Sequence, residues 1–203
     1  MDTIQHSTSE MPKVELETRH GRQLGYALGV ARIVVGFEFL WAFLDKAFAL
    51  GFGTGRLENG SIDFFAKGAA WFNGGSPTAG VVGFGLKGPM KGFYQSITGF
   101  QVVAGVPHVS GLVDLIYMAS MLLIGLGLMS GVLTRLAAIG AIAWMVFFYT
   151  ATAIWPAYNP VVDEHVIAAL LLVVIIVANA GQYLGFGRSW QRRDYVTRHP
   201  ILR

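Results

Sequence analysis

The first long apolar segment, residues 24–50, constrains this chain most; it reads LGYALGVARIVVGFEFLWAFLDKAFAL. A helix of about 20 apolar residues, with a rise of about 1.5 Å per residue, crosses a hydrocarbon core of roughly 30 Å. The segment is therefore long enough to span a bilayer, yet it carries Arg32, Glu38, Asp45 and Lys46. Charges at membrane depth are costly and usually mark function. Glu38, near the midpoint of the segment, is therefore the first candidate for a functional residue.

The composition indicates an integral membrane protein. Hydrophobic residues make up 54% of the 203 residues and charged residues only 13%, whereas soluble domains carry about 25% charged residues. The formal charge of +3 orients such a chain in the membrane, and no basic run with interleaved aromatics predicts a nucleic-acid partner. The absence of cysteine excludes disulfides, thiol redox chemistry and iron–sulfur clusters on this chain. A redox role would need a bound cofactor, a diffusible carrier or a partner subunit.

The apolar pattern predicts an all-α membrane protein, built as a four-transmembrane-helix bundle over residues 24–185. The predicted spans are about 24–50, 109–129, 132–154 and 161–184. Their partner is the lipid bilayer, and a homo-oligomer is left open.

The polar ends of the chain predict its orientation. Residues 1–23 are expected to be a mostly disordered cytoplasmic tail, and residues 186–203 a basic cytoplasmic tail. The connection between the third and fourth spans has no lysine or arginine. Because basic residues stay on the cytoplasmic side, both termini are predicted there.

Residues 51–107 form a glycine-rich segment between the first two spans. They hold 14 of the 26 glycines and many aromatic residues, so the segment is too broken for a span and too apolar for a solvated linker. Short interfacial helices are expected from Ser61 to about Phe72 and from Lys91 to about Ala104.

Polar residues from three predicted spans fall at the outer mouth of the bundle. They are Asp45 and Lys46 of the first span, His108 and Asp114 at the start of the second, and Asp163, Glu164 and His165 of the fourth. Bundle mouths are common places for ligand sites. Simpler interpretations stay open: helix-dipole stabilisation of Asp163 and Glu164, snorkelling of Asp45 and Lys46, and structural hydrogen bonds at Asp114 and His165.

Glu38 and Arg32 lie deeper in the first span. They are about 9 Å apart along the helix axis and face different directions. Glu38 shares a face with Asp45, so the two carboxyls could pass protons outward. The alternative for Glu38 is a neutral carboxyl held by a neighbouring helix.

Two sets of candidate residues follow. The predicted catalytic set is Glu38, Asp45, Lys46 and His165. The predicted set for a quinone or substrate pocket is Arg32, Trp41, Asp114 and Glu164. No metal or haem is expected, because the five histidines at 6, 20, 108, 165 and 199 contain no pair at ligand spacing.

Short motifs at both ends of the membrane region resemble the DoxX/DoxD family. The first span carries Arg32, Gly36 and Lys46 in the family's order. The last span and the residues after it carry Asn159-Pro160, Asp163-Glu164-His165, Gly181, Gly185, Gly187-Arg188 and Trp190. Asp45 departs from the family pattern, which has a small residue before the lysine.

The resemblance implies a four-helix redox protein in the inner (plasma) membrane of a prokaryote. Some family members are the small membrane subunit of thiosulfate:quinone oxidoreductase, so the resemblance implies quinone as cofactor, a sulfur-containing reductant such as thiosulfate, and a second redox subunit. Two rival hypotheses stay open. One is a non-enzymatic anchor for a soluble redox or detoxifying partner, and the other is a small transporter.

Overall fold

A computed structural model of the chain describes residues 11–156 and 159–203, and this part is mostly helical. In chain order its elements are α1 (Met11–Phe48), α2 (Lys91–Ile97), β1 (Gln101–Val103), β2 (Val106–His108), α3 (Gly111–Ser130), α4 (Thr134–Phe148), α5 (Glu164–Val177), α6 (Gly187–Gln191) and α7 (Asp194–Arg198).

Three helical stretches are long and apolar enough to cross a membrane: Arg19–Phe48, Gly111–Ser130 and Thr134–Thr152. This finding supports the prediction of a helical membrane protein. The fourth apolar helix, α5, has 14 residues, and at about 1.5 Å per residue it is about 21 Å long, shorter than a typical hydrocarbon core.

The first helix is longer than the predicted span. It has 38 residues, which corresponds to about 57 Å, and it begins at Met11. The expected disordered tail is therefore wrong for residues 11–23, which continue the helix; residues 1–10 lie outside the described residues.

Glycines allow α1 and α3 to cross at close range. A β-carbon on Gly36 would lie 2.8 Å from the Leu128 Cβ, and one on Gly125 would lie 2.7 Å from the backbone nitrogen of Leu40. Both distances are shorter than van der Waals contact, so only glycine fits at either position. Close backbone approach of this kind favours helix association in lipid.

The core of the bundle is formed by apolar side chains of all four long helices. Its most buried members include Phe39 on α1, Met118 and Leu128 on α3, Ala138 on α4 and Leu172 on α5. The bundle has two ends. The lid end is where α1 ends and α3 begins, and the tail end is where α3 ends and α4 begins.

Arg32 ties three elements together at the tail end. Its side chain is fully buried, and its guanidinium donates to the carbonyl oxygens of Leu128, Tyr183 (3.0 Å) and Leu184 (2.7 Å). Leu128 lies in the last turn of α3, where carbonyls lack helical partners, and the other two follow α5. One side chain of α1 therefore satisfies backbone acceptors from two other parts of the fold.

The lid, defined as residues 51–110, closes the other end of the bundle. Its first part contains no helix from Ser61, because the N–H and Oγ of Ser61 both donate to Asn59 Oδ1 (3.0 and 2.7 Å) in a turn. The expected helix up to Phe72 is therefore wrong; only a 3-10 turn, Trp71–Asn73, forms there.

The second part of the lid is also more varied than expected. The helix that begins at Lys91 ends at Ile97 rather than near Ala104. An antiparallel hairpin follows, in which Val103 pairs with Val106. Ala104 (φ 51°) and Gly105 (φ 80°) form its two-residue turn in left-handed conformations, which suit the twist of a tight hairpin.

The lid rests on the end of α4. Val82, Leu86 and Tyr94 of the lid form a small apolar cluster with Ala151. The Tyr94 hydroxyl lies 2.6 Å from Thr150 Oγ1, and the Lys87 N–H donates to the Ala151 carbonyl at 2.9 Å.

We expect Arg32→Met to destabilise the fold by about 3 kcal/mol, because it leaves three buried carbonyl groups without a donor. Thermal unfolding of the purified protein in detergent measures the effect as a fall in Tm. Arg22→Met is the matched control, since Arg22 is exposed on the same helix. Equal Tm values for the two variants would contradict the assigned role.

Candidate functional site

A cavity of 250 Å³ lies beneath the lid, at the lid end of the bundle. It is walled by parts of α1, the lid, α3 and α4. The lining residues are Lys46, Pro77, Thr78, Val81, Val82, Thr98, Val113, Tyr117, Trp144, Phe147 and Phe148. Lys46 is the one charged residue in this lining, so the cavity combines an ammonium group with mainly apolar walls.

The Lys46 ammonium has no ion-pair partner in the part of the chain that the structure describes. Its Nζ lies 6.0 Å from the centroid of the Tyr117 ring, a distance at which a cation is attracted to an aromatic face. The neighbouring Asp45 carboxylate accepts instead from the backbone N–H groups of Phe52 (3.0 Å) and Gly53 (2.8 Å). Asp45 thus fixes the turn that leads into the lid.

Two residues of this lining, Lys46 and Tyr117, carry donors that no other described residue engages. Thr78 Oγ1 donates to Asp114 at 2.7 Å, and Thr98 Oγ1 donates to the Tyr94 carbonyl at 2.8 Å, so both threonine hydroxyls are already engaged. The Tyr117 hydroxyl and the Lys46 ammonium have no hydrogen-bond partner among residues 11–156 and 159–203. An acceptor oxygen of a ligand in the cavity would suit either donor.

Asp114 fastens the lid to α3. Only 6% of the residue is exposed, and its carboxylate accepts from Ser76 Oγ (2.7 Å), Thr78 N–H (3.0 Å) and Thr78 Oγ1 (2.7 Å). The structural hydrogen bond that the sequence left open is present. Through Thr78, Asp114 positions one wall of the cavity; it does not itself line the cavity.

Glu38 lies in a separate depression of 110 Å³ nearer the middle of α1. Its side chain is exposed and, within the described residues, makes no hydrogen bond or ion pair. Tyr117 and Phe148 line this depression and also line the Lys46 cavity. Glu38 and Lys46 are eight residues apart on α1, which corresponds to about 12 Å along the axis.

Trp41 and Arg32 lie away from the Lys46 cavity. Trp41 packs against Phe37 and Phe52, with ring centroids 5.8 and 5.1 Å apart, in an aromatic group partly exposed on the outside of α1. Arg32 is at the tail end, fourteen residues or about 21 Å from Lys46 along the helix. The structure therefore does not bring the predicted pocket residues together in one site.

Asp163, Glu164 and His165 begin α5. Asp163 caps the helix by accepting from the Val166 N–H at 3.1 Å, and its other oxygen lies 2.6 Å from His165 Nδ1. Their ligand atoms lie within 4.8 Å of one another, and Glu164 is exposed. Helix capping accounts for Asp163.

His165 is separated from Lys46. It lines a different depression of 270 Å³, between α4 and α5. The ring of Phe148, which lines the Lys46 cavity, lies 5.9 Å from the His165 ring. Lys46 and His165, which the sequence placed together at the outer mouth of the bundle, therefore line two different cavities.

The sequence did not single out Tyr117 or Trp144. Tyr117 lies one helical turn after Asp114, so a helical-wheel comparison with Asp114 would have placed it on the same face. Trp144 carries no comparable signal, because its role depends on how α3 and α4 cross.

Comparisons with protein-family models, curated proteins and solved structures found no match to this chain. The resemblance to the DoxX/DoxD family therefore stays a prediction from short motifs.

We expect Asp114→Leu to loosen the lid, because Ser76 and Thr78 lose their acceptor. Trypsin should then cut at the exposed Lys87 and Lys91 about tenfold faster than in the native protein. Asp63→Leu, an exposed lid residue, is the control and should leave the cleavage rate unchanged. Protection equal to the native protein's in Asp114→Leu would show that the lid does not depend on this carboxylate.

Proposed function

We propose that this protein is an integral membrane subunit of a redox system and that it binds the head group of a quinone in the Lys46 cavity. The observation that carries the proposal is the pair of unengaged donors, Lys46 and Tyr117, in an otherwise apolar cavity between membrane helices. Quinone carbonyl oxygens are acceptors, so they suit these donors. The chain itself offers no cysteine, which fits electron transfer through a bound quinone.

The cavity suits a quinone ring in size and in character. Pockets for drug-sized ligands measure about 300–1,000 Å³, and this cavity measures 250 Å³. It would therefore take a single ring rather than a larger cofactor. Trp144, Phe147 and Phe148 provide aromatic walls, against which a flat ring can stack.

Lys46 and Glu38 have different roles in this proposal. A bound quinone accepts two electrons and two protons and becomes the quinol. Lys46 would orient the ring and stabilise negative charge on its oxygen. Glu38, beyond Tyr117 and Phe148, would supply and recover protons within the membrane, which accounts for a carboxyl kept there without a partner. As the family resemblance implies, the electrons would come from a small sulfur-containing reductant or a second subunit.

We further propose four membrane crossings with both termini in the cytoplasm of a prokaryotic cell. Contacts at the tail end support an α5 that returns to the level where α4 begins. The Arg135 N–H, in the first turn of α4, donates to the carbonyl of Arg203 at 2.7 Å, and Arg32 joins the end of α3 to Tyr183 and Leu184. The 14 residues of α5 are too few to cross the membrane, so the residues on either side of the helix would supply the rest of the span.

A second candidate is a non-enzymatic anchor for a soluble partner, and the lid favours it. The hairpin carries three exposed valines, Val102, Val103 and Val106, with 61%, 55% and 54% of their surfaces exposed. Affinity purification from native membranes would separate the candidates. A soluble enzyme bound in equal amount, together with no quinone reduction by the protein alone, would favour the anchor.

We expect Lys46→Met to weaken quinone binding about ten- to hundredfold, since a hydrogen bond to a charged group contributes about 1.5–3 kcal/mol. Binding is measured by quenching of tryptophan fluorescence with a soluble benzoquinone. Lys87→Met, on the exposed surface of the lid, is the control. Absence of quinone binding by the native protein would contradict the proposal.

We expect Glu38→Gln to slow quinone reduction with thiosulfate or sulfide as reductant about 100-fold, while quinone binding stays the same, because proton transfer contributes about this factor or more. Loss of quinone absorbance measures the rate. Glu58→Gln, an exposed lid residue, serves as the control. Full turnover by Glu38→Gln would exclude Glu38 as the proton carrier.

A further inference from the structure

An open groove of 660 Å³ lies between α3 and α4, and the proposed function does not use it. It runs from Ser120, halfway along α3, and Trp144 to Ser130 and Leu133 at the tail end, about 15 Å along α3. No charged residue lines it. Its lining combines small residues, Gly127, Ala137, Gly140 and Ala143, with the exposed Leu123, Leu126 and Leu136.

The groove meets the Lys46 cavity at Trp144, which lines both. The indole is held in place, since its Nε1–H donates to Ser120 Oγ at 2.9 Å and its ring meets that of Tyr117 edge-on at 5.3 Å. The Lys46 cavity and the apolar groove thus share one fixed side chain. The combined shape matches a molecule with a compact polar head and a long apolar tail.

We propose that the α3–α4 groove holds the prenyl tail of the quinone whose head group occupies the Lys46 cavity. This inference rests on the proposed function and adds that the ligand is a long-tailed, membrane-borne quinone. A lipid acyl chain would cover any apolar helix face equally well, because lipid tails gain little from one apolar surface over another. Its end at Trp144, directly beside the Lys46 cavity and the donors of Lys46 and Tyr117, distinguishes this groove from the rest of the exposed apolar surface.

Ala143 is the position at which to test the groove. It is exposed on the groove wall, so Ala143→Phe fills the groove without entering the bundle core. Val34→Phe is the matched control. Val34 is 62% exposed on α1 and lies outside the groove.

The test compares two benzoquinones, one with a decyl tail and the same ring without it. Affinities are measured by tryptophan fluorescence quenching in detergent. We expect Ala143→Phe to weaken binding of the decyl compound about tenfold, a change of about 1.4 kcal/mol, and to leave binding of the tail-less ring unchanged. Val34→Phe should change neither. Equal effects on both compounds, or no effect on either, would overturn the tail assignment while the head-group site stands.

A second measurement uses the native protein, so it does not depend on a variant that folds. A benzoquinone with a diazirine in its tail is photolysed on the protein, and the labelled peptides are identified by mass spectrometry. Labels confined to α3 and α4 support the groove, and labels spread over all the helices contradict it. A shift in oligomeric state with Ala143→Phe would overturn the proposal in favour of a second copy of the chain. Binding of neither quinone by the native protein would overturn the proposed function as well.

Discussion

The contact on which the bundle depends is that of one buried guanidinium with three carbonyl oxygens. Arg32 on α1 joins the last turn of α3 to the residues after α5, and thereby sets the level at which these elements end. In a hydrocarbon environment a carbonyl without a donor is costly, so Arg32 holds α1, α3 and the residues after α5 together at the tail end. The lid end, which Arg32 does not contact, holds the Lys46 cavity.

The polar residues of the lid end fall into two groups, those that accept hydrogen bonds within the fold and those that have no partner among the described residues. Asp45 fixes the turn after α1 and Asp114 fixes the lid, both through acceptor bonds to groups of residues 52–78. Both carboxylates thus stabilise the fold. Lys46 and Glu38 keep no such partner among the described residues, and they are the groups from which chemistry can be expected.

Sequence reasoning located the long helices because an apolar run of that length has few alternatives in a membrane. It failed at Ser61, where a side chain two residues away, Asn59, provides a turn that competes with helix capping. It could not find the cavity wall at Trp144, since the way two helices cross is a property of their packing. It grouped Lys46 with His165 from their level along the helices, and the intervening Phe148 has no signature in a one-dimensional pattern.

The attachment of the lid has a consequence for the order in which the protein assembles. The lid precedes its main supports in the chain: Asp114 opens α3, and Thr150 and Ala151 follow α4. During synthesis the segment is therefore made before α3 and α4, its main supports, exist, and only α1 can hold it. Its 14 glycines and exposed phenylalanines are compatible with a segment that waits at the bilayer surface. The cavity comes into existence only when α4 has been inserted, so a partly made chain offers no site to a ligand.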